Sequence, residues 1–134
     1  MKKIKFTLLS VFAVLFLVSC SSDDNENGID TTLILGKWYK HSVIHNGETY
    51  PVQQHGDCRD YWEFFENGTL KSVIIWDCAE EYEDMYTYSI SGDILTTDYN
   101  GQVDNVKIVK LTNSELTLEG SVSEDVTRIK FTRH

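Results

Sequence analysis

The sequence predicts an all-β domain, a small antiparallel up-and-down β-barrel of about eight strands. Three observations carry this. Turn signals recur at nearly even spacing, at Asn46-Gly47, Asn67-Gly68, Ser91-Gly92-Asp93, Asn100-Gly101 and Thr112-Asn113-Ser114. The runs between them are rich in β-branched and aromatic residues and show no helical period. Finally, 134 residues with one proline allow a single domain, and a meandering sheet removes its exposed edges most economically by closing on itself.

The N-terminus stands apart from that domain. Residues 1–19 read as a lipoprotein signal peptide: Lys2, Lys3 and Lys5 precede an apolar run from Phe6 to Val18. That run is shorter than the ~20 residues a membrane-spanning helix needs. Leu17-Val18-Ser19-Cys20 resembles a bacterial lipobox, which implies that Cys20 becomes a lipidated N-terminus and that acyl chains hold the protein to a membrane. Residues 20–32 form a lipidated cysteine followed by a flexible, acidic tether, Ser21 to Asp30. A serine followed by acidic residues resembles the export signal of Bacteroidetes-type lipoproteins. The expected address is therefore the bacterial cell envelope, as an outer-membrane lipoprotein exposed at the surface. Asp30-Thr31-Thr32 also resembles the O-glycosylation site of such bacteria.

The domain spans 33–134. Leu33 to Trp38 opens the domain, Tyr39 to His45 alternates loosely enough for a long strand closed by Asn46-Gly47, and Glu48 to Val52 is a short return segment that Pro51 confines to an edge or a loop. Gln53 to Asp57 is loop. Tyr61 to Phe65 and Leu70 to Trp76 form a hairpin about Asn67-Gly68, read as a two-residue type I′ turn. That register sets Phe65 opposite Leu70 and Trp62 opposite Val73, and brings Cys58 within one position of Cys78. Facing positions are spaced as a disulfide requires, and an oxidising envelope permits one. With Cys20 carrying lipid, no thiol is left over. Ala79 to Asp84 reads as an acidic loop. Strands follow at Met85–Ile90, Ile94–Tyr99, Val103–Leu111, Leu116–Val122 and Val126–Thr132.

Charge and motif searches exclude several functions. The chain has 12 basic and 21 acidic residues; losing three lysines with the signal leaves 9 − 21 = −12. With no basic cluster, nucleic acid is not an expected partner. His41 and His45 share a strand face but lie about 13 Å apart, and His55 belongs to another loop, so no metal site is expected from them. Asp77, Glu80, Glu81, Glu83 and Asp84 lack the spacing and turn glycine of a calcium loop. No phosphate-binding glycine loop, nucleophile elbow or H-E-x-x-H is present. No carboxylate pair is marked out for acid/base work, and the cysteines lack the C-x-x-C arrangement of a redox pair. Neither a catalytic residue nor a cofactor is expected, and the chain does not read as an enzyme.

Leu35-Gly36-Lys37-Trp38 resembles the Gly-x-Trp opening of lipocalins. Cys58, Tyr61-Trp62-Glu63-Phe64 with Asn67-Gly68-Thr69, Tyr88 to Leu95, and Ile108 to Thr112 before Leu116-Thr117-Leu118 extend the likeness. The pattern is similar to the small lipocalin-like domain of Bacteroidetes-type envelope lipoproteins and covers Leu33 to Phe131. The resemblance implies a barrel-base motif in which Gly36 precedes Trp38 at the closed end and a basic residue of the last strand lies over the tryptophan. Arg128 is the candidate for that residue, with Arg133 as the alternative. The chain is shorter than the larger lipocalins and has no C-terminal helix after the last strand.

Two functional readings stay open. In the first, the domain binds a small apolar or amphipathic ligand through Trp62, Trp76, Tyr86, Tyr88 and Tyr99, residues that serve equally as packed core. In the second, the barrel is filled and an outer face docks an envelope protein, as an accessory subunit or inhibitor. A void lined by aromatics favours the first; a filled barrel with a broad apolar outer patch favours the second.

Overall fold

The computed structural model describes residues 28–52, 58–76, 78, 80–122 and 124–134. The signal peptide, Cys20, most of the tether, the loop at 53–57 with His55, and Asp77 lie outside the described residues. Nine antiparallel strands follow a single 3-10 turn at Thr31–Ile34: β1 Gly36–His45, β2 Glu48–Pro51, β3 Tyr61–Phe64, β4 Thr69–Trp76, β5 Glu80–Ser91, β6 Ile94–Tyr99, β7 Gln102–Leu111, β8 Glu115–Val122 and β9 Asp125–Thr132. Pairing of β1 with β9 closes eight of them into a barrel, and β2 is an extra strand paired along the outer half of β1. Pro51 ends that edge strand, where a missing N–H costs no ladder bond.

Two of the three Asn-Gly pairs form the expected turns. Asn46 and Gly47 take φ +49° and +83°, Asn100 and Gly101 +53° and +88°, the left-handed pair that a type I′ turn requires. The third differs. At Asn67-Gly68 only the glycine is left-handed, at +82°, and the Phe65 carbonyl accepts from Gly68 N at 3.2 Å. The connection is thus a turn over Glu66-Asn67 followed by a glycine bulge, one residue longer than expected. The Asn67 carboxamide oxygen holds this form by accepting from the Thr69 amide and hydroxyl.

That extra residue shifts the hairpin register by one. Phe64 faces Leu70 and Tyr61 faces Val73, where the expected register put Phe65 and Trp62. Since side chains alternate along a strand, a slip of one exchanges faces. Trp62, Phe64 and Leu70 consequently share the interior, while Tyr61 and Val73 pair on the other face. Cys58 and Cys78 are nevertheless bonded, with Cα atoms 4.9 Å apart. They meet beyond the β3–β4 ladder, which the Asp60 carboxylate ends by accepting from Ile75 N at 2.9 Å.

The acidic stretch at 80–84 is strand, not loop. It is drawn into β5 by pairing with β4 from Trp76↔Glu80 to Ser72↔Asp84, and Lys71, which also pairs with Glu63 of β3 at 3.3 Å, offsets part of its charge through Glu83 at 3.9 Å. Ladder pairing overrides the local polarity here.

The two barrel ends differ. One carries the β3–β4, β5–β6 and β7–β8 turns with the start of β1 and the end of β9; the other carries the remaining connections. Toward the first end the interior is solid, with Ile34, Trp38, Phe64, Leu95, Ile108, Leu116 and Phe131 all at most 2% exposed. Each such burial stabilises by about 1.5–3 kcal/mol before chain entropy is counted. Toward the second end the inward positions are shorter or more polar, including Thr97, Asp104, Gly120 and Thr127, and the packing opens. There β4 and β5 run on past β6 as a two-stranded projection, since β5 pairs with β6 only from Thr87 onward.

Candidate functional site: a closed base and an open cavity

The base is built around Trp38. Its indole Nε1 donates to the Ile34 carbonyl at 2.7 Å, which ties the first strand to the preceding 3-10 turn. The basic residue over its ring is Arg133, whose guanidinium carbon lies 3.9 Å from the ring centroid. Arg128, the expected candidate, lies elsewhere: it faces Glu119 across β8 and β9 and makes a 2.7 Å ion pair on the barrel exterior. The reason is strand position. Arg128 pairs with Glu119, three residues before Phe131 reaches the base opposite Leu116, so only a residue past the end of β9 can fold back under Trp38.

Arg133 also donates from Nη2 to the Leu33 carbonyl at 2.6 Å and from Nη1 to the Leu35 carbonyl at 2.7 Å. These groups belong to the turn before β1, so one side chain ties the chain's exit to its entry. Burial lowers the pKa of this guanidinium, which stays charged as arginine does. Gly36 is required beside it. Its φ is +99°, and a Cβ there would lie 2.7 Å from Arg133 Nη1.

Above the base lies a cavity of about 380 Å³, within the usual range for small-molecule sites, roughly 300–1,000 Å³. Its apolar wall comes from Trp62 on β3, Leu70 on β4, Val106 on β7, Leu118 on β8 and Ile129 on β9. Tyr86, Thr97, Asp104 and Thr127 add polar atoms, and Gly120 leaves the space a side chain would fill. Seven of the eight barrel strands contribute. The β7–β8 ladder stops at Lys107↔Glu119, so the wall beside the cavity at Asp104–Val106 and Gly120–Ser121 is not closed by a described strand pair.

The five aromatic candidates separate. Trp62 and Tyr86 line the cavity. Tyr99 stacks on Tyr86 with ring centroids 4.9 Å apart and donates its hydroxyl to Asp84 at 3.1 Å. Tyr88 belongs to the packed region: it meets Phe64 edge-on at 5.0 Å and donates to the Phe65 carbonyl at 2.8 Å. Trp76 is 63% exposed on the β4–β5 projection. The Tyr86 phenol is raised by burial and then by the charges of Asp84, Tyr99 and Asp104, and Tyr99 by its bond to Asp84. His41 is exposed, and His45 Nδ1 is 3.0 Å from Thr127 Oγ1. No group of three His, Cys, Asp or Glu able to hold a metal is found among the described residues.

Sequence reasoning passed over Leu70, Thr97, Asp104, Val106, Leu118, Gly120, Thr127 and Ile129. A lone glycine inside a strand run was the one available signal, since it marks close approach or empty space. The others needed the register.

A barrel with one end packed shut and a cavity toward the other defines a class of cup-shaped antiparallel β proteins. Residues 34–118 match the lipocalin-like domain family, and the chain belongs to it. Among solved structures it is similar to a lipocalin-like protein from Bacteroides uniformis, at 15% identity and a TM-score of 0.60, covering 76% of this chain and 99% of that one. An uncharacterized protein from Bacteroides eggerthii is similar at 12% identity and a TM-score of 0.60, covering 75% and 99%. Apocrustacyanin C1 is more distant, at 15% identity and a TM-score of 0.51, covering 78% of this chain and 63% of that one. At these identities the likeness concerns the fold. No curated protein matches the chain.

Proposed function

We propose that the protein is a non-catalytic carrier of a small apolar or amphipathic molecule, held to the outer membrane of a bacterial envelope by lipid on Cys20. The observation that carries the reading is the 380 Å³ cavity walled by seven strands. The interaction-module reading starts from a filled barrel, and the open upper half favours the carrier instead.

The anchoring part rests on Leu17-Val18-Ser19-Cys20 and is compatible with the barrel's orientation. The chain enters through the 3-10 turn at the packed base, so an N-terminal anchor would leave the cavity end facing away from the membrane. Metabolic labelling with a fatty acid should mark the wild type and not Cys20→Ser; label retained by the variant would remove the anchor.

Carriage is tested by native mass spectrometry of residues 21–134, which contain every described strand, purified without detergent from the periplasm of an expression host. Extra mass released on mild activation is the expected result, and its identity defines the ligand class. Clean protein mass both from that host and after incubation with envelope lipid extract would count against carriage.

A further inference from the structure

We propose, building on the carrier reading, that the ligand is an amphipathic organic cation. Its ammonium-type head is placed against Tyr86, Tyr99, Asp84 and Asp104, and its apolar part against Leu70, Val106, Leu118 and Ile129.

The sign of charge comes from the lining. Asp104 is the one charged side chain among the cavity's described lining residues, and no lysine, arginine or histidine is there. Anionic heads such as carboxylates or sulfates would meet no counter-charge and would be repelled by the Asp104 carboxylate, which is exposed at the cavity's open side. A cation finds the reverse.

The aromatics supply the second half of the recognition. Tyr86 and Tyr99 stack at 4.9 Å with their planes 38° apart, forming a wall whose faces attract a cation through their quadrupoles. Asp84 is fixed beside them by the Tyr99 hydroxyl. It faces Ser72 on β4, which places it on the same side of β5 as Tyr86. Asp104 faces Thr97 from β7, across the ladder from β6, and both line the cavity. Paired aromatic faces, flanking carboxylates and an aliphatic wall behind them match a head-and-tail molecule with a positive head.

Decyltrimethylammonium, decanol and decanoate, each used as monomer, separate the contributions of head and tail. Their binding to residues 21–134 is read by calorimetry and by the emission of Trp62 and the other tryptophans. The expected order is cation, then alcohol, then carboxylate, with the cation at least tenfold tighter than decanol. In Asp84→Asn/Asp104→Asn that advantage should fall about tenfold, whereas Asp93→Asn at the barrel base should keep it. Tyr86→Leu should reduce it as well. Decanoate binding as tightly as the cation, or a cation advantage unchanged in the double variant, would overturn the proposal while decanol binding still supports a carrier. Failure of all three to bind would overturn both readings.

Discussion

Arg133 covers the face of Trp38 at 3.9 Å and at the same time donates to the carbonyls of Leu33 and Leu35. The last residues of the chain thereby close the barrel under the first strand. A cation over an indole contributes about 0.5–2 kcal/mol, and charged hydrogen bonds about 1.5–3 kcal/mol each; partial exposure reduces both. Arg133→Ala should therefore destabilise by about 2–3 kcal/mol in urea unfolding, and Arg133→Lys should recover little, since lysine lacks the planar fork. Arg128→Ala, which removes an exterior ion pair, should cost less than about 1 kcal/mol. Equal losses at the two positions would refute the base assignment.

Gly36 should tolerate no side chain. Gly36→Ala places a Cβ at a left-handed φ and against Arg133 Nη1, for a loss of about 1–2 kcal/mol from the backbone alone. The clash part should shrink in an Arg133→Ala background, so a double-mutant cycle should give coupling above about 0.5 kcal/mol. Additive losses would mean that the two do not meet.

The Cys58–Cys78 bond closes a segment with a sequence separation of 20. Peptide mapping without reductant should recover the two cysteines joined, and Cys58→Ser/Cys78→Ser should lower stability by about 2–4 kcal/mol. Free thiols at both positions would contradict the pairing.

Acid should release a small contribution from Glu115. Burial raises its pKa, but hydrogen bonds and charge attraction from Lys130 and Lys110 outweigh burial, and the net shift is downward. A carboxyl lowered in the folded state stabilises above its unfolded pKa and loses that contribution as pH falls through the folded one. Glu115→Gln should thus cost most near neutrality, up to about 1 kcal/mol given its partial exposure, and little at pH 3. A cost unchanged between pH 7 and pH 3 would rule out the charge pairing.

Several parts of this architecture were legible in the sequence because local chemistry dictates them. Asn46-Gly47 and Asn100-Gly101 can place both residues at positive φ, so their turns followed from residue type. Asn67-Gly68 carries the same dipeptide but forms a bulged turn, because Asn67 bonds forward to Thr69. That competing bond moved the register by one and exchanged the faces of the hairpin. The acidic strand at 80–84 was hidden because its order comes from β4, not from its own pattern. The Gly36 and Trp38 motif pointed to the base, yet the choice between Arg128 and Arg133 depended on where β9 ends. The cavity was the least legible feature. Trp62 and Tyr86 stood out by size, whereas Gly120, Thr97 and Thr127 matter for the room they leave.

Ligand binding in this space is tested by filling it, and Gly120→Phe does so directly. Gly120 lines the cavity, and a Cβ there meets Val106 at an ordinary 3.7 Å. The measurement is titration of the neutral probe N-phenyl-1-naphthylamine into wild type and Gly120→Phe, with thermal melts confirming that both are folded. Enhanced, saturable probe emission is expected with the wild type and at least a tenfold weaker response from the variant. Equal binding by the two folded proteins, or saturable binding by neither, would contradict ligand binding in this space.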